Sequence, residues 1–428
     1  MKFQILRKRY PKFIFRSSNF KLKSKGLEIF FNFEILPEIK FKPKVLIEGI
    51  KKKETERVGE RTLRNLVFNL GLIESLSYWK ATCSPEIEIL AGSLTREQIK
   101  WWKNLILKGM GQFFYENKID FRKNFLKISN PPDFRDGENL MSKELNERKI
   151  LVPVGGGKDS VVTIEYLKRM GKNLILFSLN PKRPQKRVIK ISKIKERIFV
   201  KREIDKKLLE LNKKGFLNGH TPFTAYLSFL AVLGACLKNC KFIVFSNEKS
   251  SEEGNLKYLG RVINHQYSKT EDFEKKFRDY TKKYLAKKIE YFSLLRDLSE
   301  LEISKLFVQF PQYLKAFLSC NEAFKTNSGT KKAILSWCGK CPKCLFVFAS
   351  LYPFLGNKTI KIFKKNLFEE KKLLPLMLKL TGKKGFKPFE CVGTKKESFL
   401  AFKMSLKKWK EKNKGRLPFL LKYFAEHF

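Results

Sequence analysis

The chain has 428 residues, of which 90 are Lys or Arg and 42 are Asp or Glu, so its formal net charge is +48. This length allows two or three domains with sizeable cores, and no apolar run reaches the roughly 18 residues that a membrane-spanning helix needs. Because the basic N-terminus is not followed by a continuous apolar segment, we expect no signal peptide and predict a cytoplasmic protein without a membrane span.

The positive charge has two interpretations. A basic chain can bind nucleic acid or another polyanion, but here the lysines are scattered along the whole sequence and accompany 40 phenylalanines. A- and T-rich codons also produce such a composition, and we favour that explanation because no basic stripe or tail stands out. Nucleic acid is therefore the less favoured partner, although the charge suits a small anionic substrate.

The first part of the chain predicts a mixed domain. Residues 1–56 alternate apolar and basic side chains, which indicates the strands of a small sheet. A helical segment and the strand-like "EIEILAG" follow, and Ser93 or Thr95 can cap the next helix. We therefore predict an α+β domain over residues 1–130 and a polar, proline-containing linker over residues 131–147.

Residues 148–350 alternate between strand-like and helix-like segments. "KILVPV", "KNLILFSLN" and "KFIVFSNE" are typical of buried strands, and "DSVVTIEYLKRM" and "TPFTAYLSFLAVLGACLK" are typical of helices. This order predicts a doubly wound parallel sheet with helices on both faces. Residues 351–428 are mainly helical in pattern. The predicted fold class is therefore α/β, with an N-terminal α+β domain and a helical C-terminal region.

The sequence "GGGKDS", residues Gly155 to Ser160, lies between a predicted strand and a predicted helix. Glycines let an anion approach the backbone closely, and the N-terminus of a helix attracts negative charge. The spacing fits neither the Walker loop nor the dinucleotide fingerprint. It resembles S-G-G-x-D-S, the pyrophosphate loop of ATP pyrophosphatases, in five of six places and departs from it at Gly155, where that motif has Ser.

This resemblance implies a fold of the adenine-nucleotide alpha-hydrolase (PP-loop) type and a reaction that cleaves ATP to AMP and diphosphate. Asp159 would help to hold Mg²⁺, and Lys158 would supply positive charge in place of the missing serine hydroxyl. The implied ATP-binding residues of the loop are Gly155, Gly156, Gly157, Lys158, Asp159 and Ser160.

Four cysteines have the spacing of a metal site. "WCGKCPKC" contains Cys338, Cys341 and Cys344 in a C-x2-C-x2-C arrangement, and Cys320 lies upstream. Four thiolates suit a tetrahedral Zn²⁺, so we predict one structural zinc. A redox-active C-x2-C pair is the alternative for the motif, and an unliganded buried thiol is the alternative for Cys320. The remaining cysteines lack such spacing and are predicted to be buried apolar residues: Cys83, Cys236, Cys240 and Cys391.

Further polar residues are expected at the same sheet edge. Asn247 and Glu248 follow the predicted strand "KFIVF", and ligands bind outside the carboxyl ends of parallel strands. We therefore assign Asn247 to ATP binding and Glu248 to catalysis. The chain has three histidines, and His220 and His265 are the candidates for a general base. A helix-start position is the alternative role for His220.

Longer phrases resemble one family. The phrases are similar to segments of the UDP-N-acetylmuramoyl-L-alanyl-L-glutamate epimerases of peptidoglycan synthesis: "SYWKATCSPEIEILAG", "GMGQFFYENKIDF", "VPVGGGKDSVVT", "FSNEKSSEEGN", "INHQYS", "WCGKCPKCLFVFASLYPFL" and "KPFECVGT". The likeness runs from about residue 60 to residue 395, whereas residues 1–55 and the end of the chain after residue 400 are less distinctive.

The resemblance implies ATP-dependent conversion of the terminal L-Glu of UDP-MurNAc-L-Ala-L-Glu to D-Glu, with ATP, Mg²⁺ and a structural Zn²⁺ as cofactors. Joining the α-carboxylate to AMP removes the negative charge beside Cα, so that a base can take the Cα proton. The alternative is a tRNA-modifying enzyme that adenylates a base before thiolation or amination. A non-enzymatic RNA-binding protein is a third interpretation, and the glycine motif argues against it.

Overall fold

The computed structural model describes residues 2–122, 124–131, 144–324, 336–412 and 415–428, so residues 132–143 of the predicted linker 131–147 lie outside the described residues. The strands are β1 (Lys12–Lys23), β2 (Gly26–Ile35), β3 (Ile39–Phe41), β4 (Lys44–Glu48), β5 (Glu86–Ile89), β6 (Lys127–Ser129), β7 (Asn146–Pro153), β8 (Asn173–Leu179), β9 (Arg197–Glu203), β10 (Cys240–Phe245), β11 (Leu256–Tyr258), β12 (Arg261–Ile263) and β13 (Glu290–Ser293).

The α-helices follow the same chain order. They are α1 (Lys2–Arg9), α2 (Lys52–Val58), α3 (Glu60–Trp79), α4 (Arg96–Gly109), α5 (Gly111–Glu116), α6 (Lys158–Arg169), α7 (Arg183–Ser192), α8 (Lys206–Lys213), α9 (Phe223–Lys238), α10 (Glu271–Tyr284), α11 (Glu300–Phe307), α12 (Asn321–Phe324), α13 (Pro342–Leu355), α14 (Asn357–Phe363), α15 (Leu374–Leu380), α16 (Lys395–Lys412) and α17 (Phe419–His427). The predicted cap of α4 is Thr95, whose hydroxyl accepts from the backbone N–H of Gln98.

One mixed sheet contains these strands except β11 and β12, which form a hairpin of their own. Its order is β13-β10-β7-β8-β9-β4-β2-β1-β5-β6, and β3 pairs with β2. The neighbours from β13 to β9 are parallel, whereas β4 is antiparallel to both β9 and β2. The N-terminal strands, predicted as a small sheet, therefore extend the central sheet through the β4–β9 pair.

Helices cover both faces of the parallel part because its strands are apolar on both sides. In β7, Leu151 points into one core, and Ile150 and Val152 point into the other, as the two-residue period of a strand requires. The first core includes α3 and α9, and the second includes α6, α11 and α13. The predicted strands β7, β8 and β10 and the predicted helices α6 and α9 are confirmed, whereas α7, β9 and α8, which lie between β8 and α9, were not predicted.

The C-terminal region is helical, as predicted, but its first part is interrupted. Lys364, which follows α14, has a φ of 59°, and Pro375 lies in the first turn of α15. A left-handed residue ends a helix and proline favours the start of a new one, so this part of the chain forms short helical segments. Within the described residues, we find no helix that combines the length and apolar character needed to cross a membrane.

The sheet order places a crevice at the end of β7. From β7 the chain passes to β8 and β9 on one side, and it then crosses to β10 on the other side. Ligands of parallel α/β sheets bind where the winding direction changes in this way, outside the carboxyl ends of the strands. The glycine loop begins directly at this point, after Pro153.

Candidate active site

The glycine loop joins β7 to α6 and exposes backbone to the crevice. Gly156 has a φ of +83°, and a Cβ there would lie 3.1 Å from the backbone nitrogen of Gln185, so glycine is required at this position. A Cβ on Gly155 would meet nothing within 4 Å. Gly157 precedes α6 without a side-chain cap, so the first-turn N–H groups of the helix are available to an anion.

Two neighbouring segments hold the loop in place. The backbone N–H of Leu318 donates to the Gly156 carbonyl at 2.9 Å. The Ser160 hydroxyl donates to the Gly157 carbonyl at 3.0 Å. A Cβ on Gly157 would lie 3.4 Å from Cβ of Ser319. The loop therefore has a fixed shape, and Ser319, the residue before the predicted zinc ligand Cys320, packs against it.

A cavity of about 440 Å³ opens beside Gly155 at the carboxyl ends of β7 and β8. Phe177, Leu179 and Phe223 contribute apolar surface, and Lys182 contributes positive charge. The guanidinium of Arg202, which also lines the cavity, is paired with Glu74. This volume lies in the usual range for a small-molecule site, in which apolar walls are combined with a few polar groups. The cavity can accept a flat aromatic group whose anionic end lies on the glycine loop.

Lys158 is buried and paired rather than directed at the crevice. Its ammonium donates to Asp159 Oδ1 at 2.5 Å and to Glu300 Oε2. Burial disfavours the charged form of Lys158, but the two carboxylates outweigh burial and raise its pKa. Burial would likewise raise the pKa of Asp159, but Lys158 and Lys343 hold that pKa below its usual range. Asp159 is thus a fixed carboxylate at the start of α6.

Asn247 and Glu248 lie at the carboxyl end of β10, as predicted. The Asn247 amide donates to the Ser293 hydroxyl at 3.0 Å, and the Glu248 carboxylate accepts from the Ser250 hydroxyl at 3.2 Å. Both side chains are buried. They therefore form a buried wall at the carboxyl end of β10 rather than an open surface.

Lys269 connects this wall with the glycine loop. Burial disfavours its charge, but Cys391, Glu248 and Asp159 together raise its pKa. No carboxylate among the described residues lies within 4 Å of its ammonium nitrogen. The cation therefore lies among acidic groups and makes a side-chain hydrogen bond with Cys391.

His220 and His265 form a pair, with ring centroids 4.5 Å apart. The Nδ1 atom of His265 lies 2.6 Å from Gln112 Oε1, and the Gln112 amide nitrogen donates to Glu116 Oε1 at 2.7 Å. Because the amide oxygen of Gln112 is an acceptor, Nδ1 carries the proton and Nε2 keeps its lone pair. The pair therefore includes an imidazole nitrogen that can act as a base.

Both imidazoles are neutral at physiological pH. Burial, followed by the charge of Lys269, lowers the pKa of His265 to about 4. Burial, His265 and Lys80 lower the pKa of His220 well below its usual value. Lys269 lowers the pKa of His265, and its own pKa is raised by Asp159, so this lysine acts electrostatically on both the histidine pair and the first turn of α6.

The four predicted zinc ligands lie together beside this crevice. The sulfur atoms of Cys320, Cys338, Cys341 and Cys344 all lie within 4.8 Å of one another, and those of Cys338 and Cys344 are 3.7 Å apart. Tetrahedral zinc–thiolate bonds of 2.3 Å place sulfurs about 3.8 Å apart. The four thiols are free of disulfides, so the cluster could hold a zinc ion.

The cluster also anchors a residue of the crevice. Lys343 lies between the ligands Cys341 and Cys344 in the first turn of α13, and its ammonium is 3.7 Å from Glu300 Oε1. Its backbone N–H donates to Glu390 Oε2 at 2.9 Å. A zinc ion at the cluster would therefore fix Lys343 next to the Lys158–Glu300 pair.

Sequence reasoning missed several residues of the crevice. Lys269, Glu300 and Gln112 belong to common residue types and lie in no motif with a known chemical role, and Lys343 lies inside the C-x2-C motif without being one of its cysteines. The available signal was their position: Gln112 lies in the phrase "GMGQFFYENK", and Lys269 directly follows "INHQYS". Cys391 was predicted to be buried and apolar, but it is only half-buried and lies beside Lys269, so that prediction was wrong.

These features define an α/β protein with a glycine loop before a helix N-terminus at the edge of its sheet and a four-cysteine cluster beside that loop. A family model described as the MurL N-terminal domain matches residues 4–294, and one described as the MurL C-terminal domain matches residues 316–420. The chain therefore belongs to the MurL family.

Curated relatives agree with this assignment. A protein of Salinispora tropica is 36% identical over 352 residues, which cover 82% of this chain and 74% of that protein. A protein of a Micromonospora species is 35% identical over 80% of this chain and 75% of its own length. A protein of Xanthomonas oryzae pv. oryzae is 34% identical over the same shares. All three are named UDP-N-acetyl-alpha-D-muramoyl-L-alanyl-L-glutamate epimerase.

Proposed function

We propose that the chain inverts the terminal L-Glu of the nucleotide-sugar dipeptide UDP-MurNAc-L-Ala-L-Glu to D-Glu through an acyl-adenylate, and that ATP is cleaved to AMP and diphosphate. The relatives' names support the epimerase activity. The observation that supports the use of ATP is the junction of the glycine loop with the cavity of about 440 Å³ at Gly155. We further propose a fold of the PP-loop type.

In the first step, the nucleoside of ATP lies in the cavity and its diphosphate lies on the glycine loop. The donors are the backbone N–H groups of Gly155, Gly156 and Gly157 and of the first turn of α6, which includes Lys158 and Ser160. Asn247 borders the same crevice. Asp159 is the residue that would hold Mg²⁺, which would neutralise charge on the phosphates.

Adenylation prepares the glutamate for proton transfer. An α-carboxylate oxygen attacks the α-phosphorus, and the bond to the diphosphate breaks, so that diphosphate leaves with the electron pair. The mixed anhydride carries less negative charge beside Cα than the free carboxylate does, and it therefore stabilises the enolate. Lys269 faces the crevice between Asp159 and Glu248 and supplies positive charge for the anionic groups of the reactants.

The histidine pair then removes the Cα proton of the adenylated glutamate. His265 Nε2 has a free lone pair because Gln112 engages Nδ1, and a neutral imidazole is a competent base. Burial, Lys269 and Lys387 favour the neutral form of His265. His220 lies beside its ring, and Glu248 lies among the groups around Lys269. After a proton is returned to the opposite face of Cα, hydrolysis of the anhydride releases AMP and the D-glutamyl product.

The test is a product analysis with two candidate substrates. Purified protein with ATP and Mg²⁺ is expected to release AMP and diphosphate when UDP-MurNAc-L-Ala-L-Glu is added, and not when tRNA is added. Asp159→Asn should lower AMP release by about 100-fold or more, as expected when a group that positions transition-state charge is lost. Formation of ADP and phosphate, or stimulation by tRNA alone, would contradict the proposal.

A further inference from the structure

Cys391 is the one cysteine outside the metal cluster that the described residues leave partly exposed. Burial raises the pKa values of Cys83, Cys236 and Cys240 to about 12, as expected for inert apolar thiols. Cys391 instead lies beside the Lys269 ammonium, which also faces Asp159 and Glu248. The thiol therefore lies among the charged groups around Lys269, where the proposed function has not yet given it a role.

A rigid turn presents this thiol. The backbone N–H of Glu390 donates to the Pro388 carbonyl at 2.8 Å, and the N–H of Val392 donates to the Glu390 carbonyl at 2.9 Å. Val392 is fully buried, and Gly393 packs so closely on Phe346 that a Cβ would lie 2.5 Å from the ring. The backbone on either side of Cys391 is thus fixed.

The same turn is tied to the histidine pair by Asn255. Its amide nitrogen donates to the carbonyls of Lys387 and Pro388 at 3.2 and 2.8 Å, and its amide oxygen accepts from the backbone N–H of His265 at 2.8 Å. Phe389 of this segment also lies against the His265 ring, with centroids 6.4 Å apart. One side chain therefore sets the position of Cys391 relative to His265.

Glu253 provides a second tie. Its Oε2 atom accepts from the Lys387 ammonium at 3.2 Å and from the backbone N–H of Lys395 at 3.0 Å. The segment that carries Cys391 is consequently bound at both ends to the loop that leads to His265. Asn255 and Glu253 thus connect the segment that carries the Cys391 thiol with the loop that carries the His265 imidazole. The Lys269 ammonium interacts electrostatically with both groups.

Inversion of a carbon centre needs a proton to leave one face and another to arrive at the opposite face. We propose that Cys391 is the acid that delivers the second proton, opposite His265; this inference rests on the proposed function. His265 takes the Cα proton, and the C–H electron pair becomes the enolate. The enolate pair then bonds to the proton of the Cys391 thiol, and the resulting thiolate lies beside Lys269, which stabilises its charge.

Isotope exchange in D₂O with Cys391→Ser tests this assignment. In the variant, His265 still removes the Cα proton of adenylated L-Glu, but the serine hydroxyl is too weak an acid to deliver a proton to the opposite face. We expect AMP release to continue, recovered L-Glu to gain deuterium at Cα, and D-Glu formation to fall at least about 100-fold, in the range typical of a lost acid–base group. His265→Gln should lose exchange and inversion together.

The outcomes separate this inference from the proposed function. If the wild-type protein forms D-Glu and Cys391→Ser forms it at a similar rate, Cys391 is not the acid, although the epimerase proposal stands. If the wild-type protein forms neither AMP nor D-Glu, the proposed function fails. A role of Cys391 in structure alone would lower AMP release, exchange and inversion equally, which would also overturn the inference.

Alkylation of the native protein provides a second measurement that does not depend on a variant. Iodoacetamide should modify Cys391 but not Cys83, Cys236 or Cys240, as determined by peptide mass mapping. The modified protein should release AMP and exchange the Cα proton without forming D-Glu. Continued inversion after complete modification of Cys391 would overturn the inference.

Discussion

Lys158 and Glu300 form an ion pair beneath the glycine loop, and their side chains are only 2% and 0% exposed. Lys343 approaches the same carboxylate, with its ammonium 3.7 Å from Glu300 Oε1. Charges buried this deeply are stable only when they are paired. The Glu300 carboxylate therefore joins a lysine of the glycine loop to a lysine of the cysteine cluster, and two motifs far apart in the sequence become one structural unit.

Glu300→Gln should destabilise the protein strongly. The variant keeps the shape of the side chain but leaves Lys158 and Lys343 without a full counter-charge, and loss of one partner of a buried pair costs about 3–5 kcal/mol. Urea unfolding measures the change. The control is Glu97→Gln, because the Lys283–Glu97 pair is 61% and 66% exposed and exposed pairs contribute about 1 kcal/mol or less. If the two substitutions lowered the free energy of unfolding equally, burial would not determine how much the Glu300 ion pairs contribute to stability.

Gly156→Ala should distort the loop. At a φ of +83° an L-residue is strained by about 1–2 kcal/mol, and the added Cβ would press on the Gln185 backbone. We expect substrate-dependent AMP release to fall by about tenfold or more, since small displacements of positioning groups have large effects on rate. The control is Gly171→Ala, where φ is +67° but a Cβ would meet nothing within 4 Å. Full activity of Gly156→Ala would show that the loop shape is not required.

Acid should destabilise the protein through His265. Its folded-state pKa is about 4, below the ordinary value of 6.5, so above pH 6.5 both the folded and unfolded states are neutral and the stability is fully present. As the pH falls from 6.5 towards 4, the unfolded chain binds a proton that the folded chain does not, and stability is lost. Urea unfolding at pH 7.5, 5.5 and 4.5 should show a smaller loss over this window for His265→Gln than for the wild type. The same loss in both proteins would mean that His265 does not carry the effect.

Metal analysis should find about one Zn²⁺ per chain. Cys341→Ser should lower the zinc content and the stability, because structural zinc contributes to folding. AMP release should also fall, since Lys343 and Ser319 would no longer be held against the loop. Cys240→Ser, which alters a buried cysteine away from the cluster, should keep the metal. Less than half an equivalent of zinc in wild-type protein purified without chelator would contradict the assignment.

Local patterns predicted much of the central fold. Strands β7, β8 and β10, helices α6 and α9, the glycine loop and the cap at Thr95 depend on neighbouring residues, and all are present. Elements α7, β9 and α8 were not predicted. The pairing of β4 with β9 could not be predicted, because it joins residues 44–47 to residues 200–203 and no local pattern encodes that register. The extension of one sheet into the N-terminal region was missed for this reason.

The candidate site shows the same limit. The cysteine cluster was predictable because a metal requires a definite ligand type and spacing, and the structure brings all four sulfurs together. Lys269, Glu300 and Cys391 interact with groups that lie far away in the sequence, so their residue types alone did not predict a place in the candidate site. His220 and His265 were chosen because histidine is rare in this chain, and that choice led to a pair with ring centroids 4.5 Å apart.

The configuration of the glutamate product tests the account most directly. Purified protein would be incubated with UDP-MurNAc-L-Ala-L-Glu, ATP and Mg²⁺, and the peptide would then be hydrolysed for chiral chromatography of glutamate alongside quantification of AMP. We predict that D-Glu appears only when ATP is present and that AMP accumulates with it. Glutamate that remains entirely L, while tRNA stimulates AMP release, would contradict the epimerase function and support the tRNA-modifying alternative.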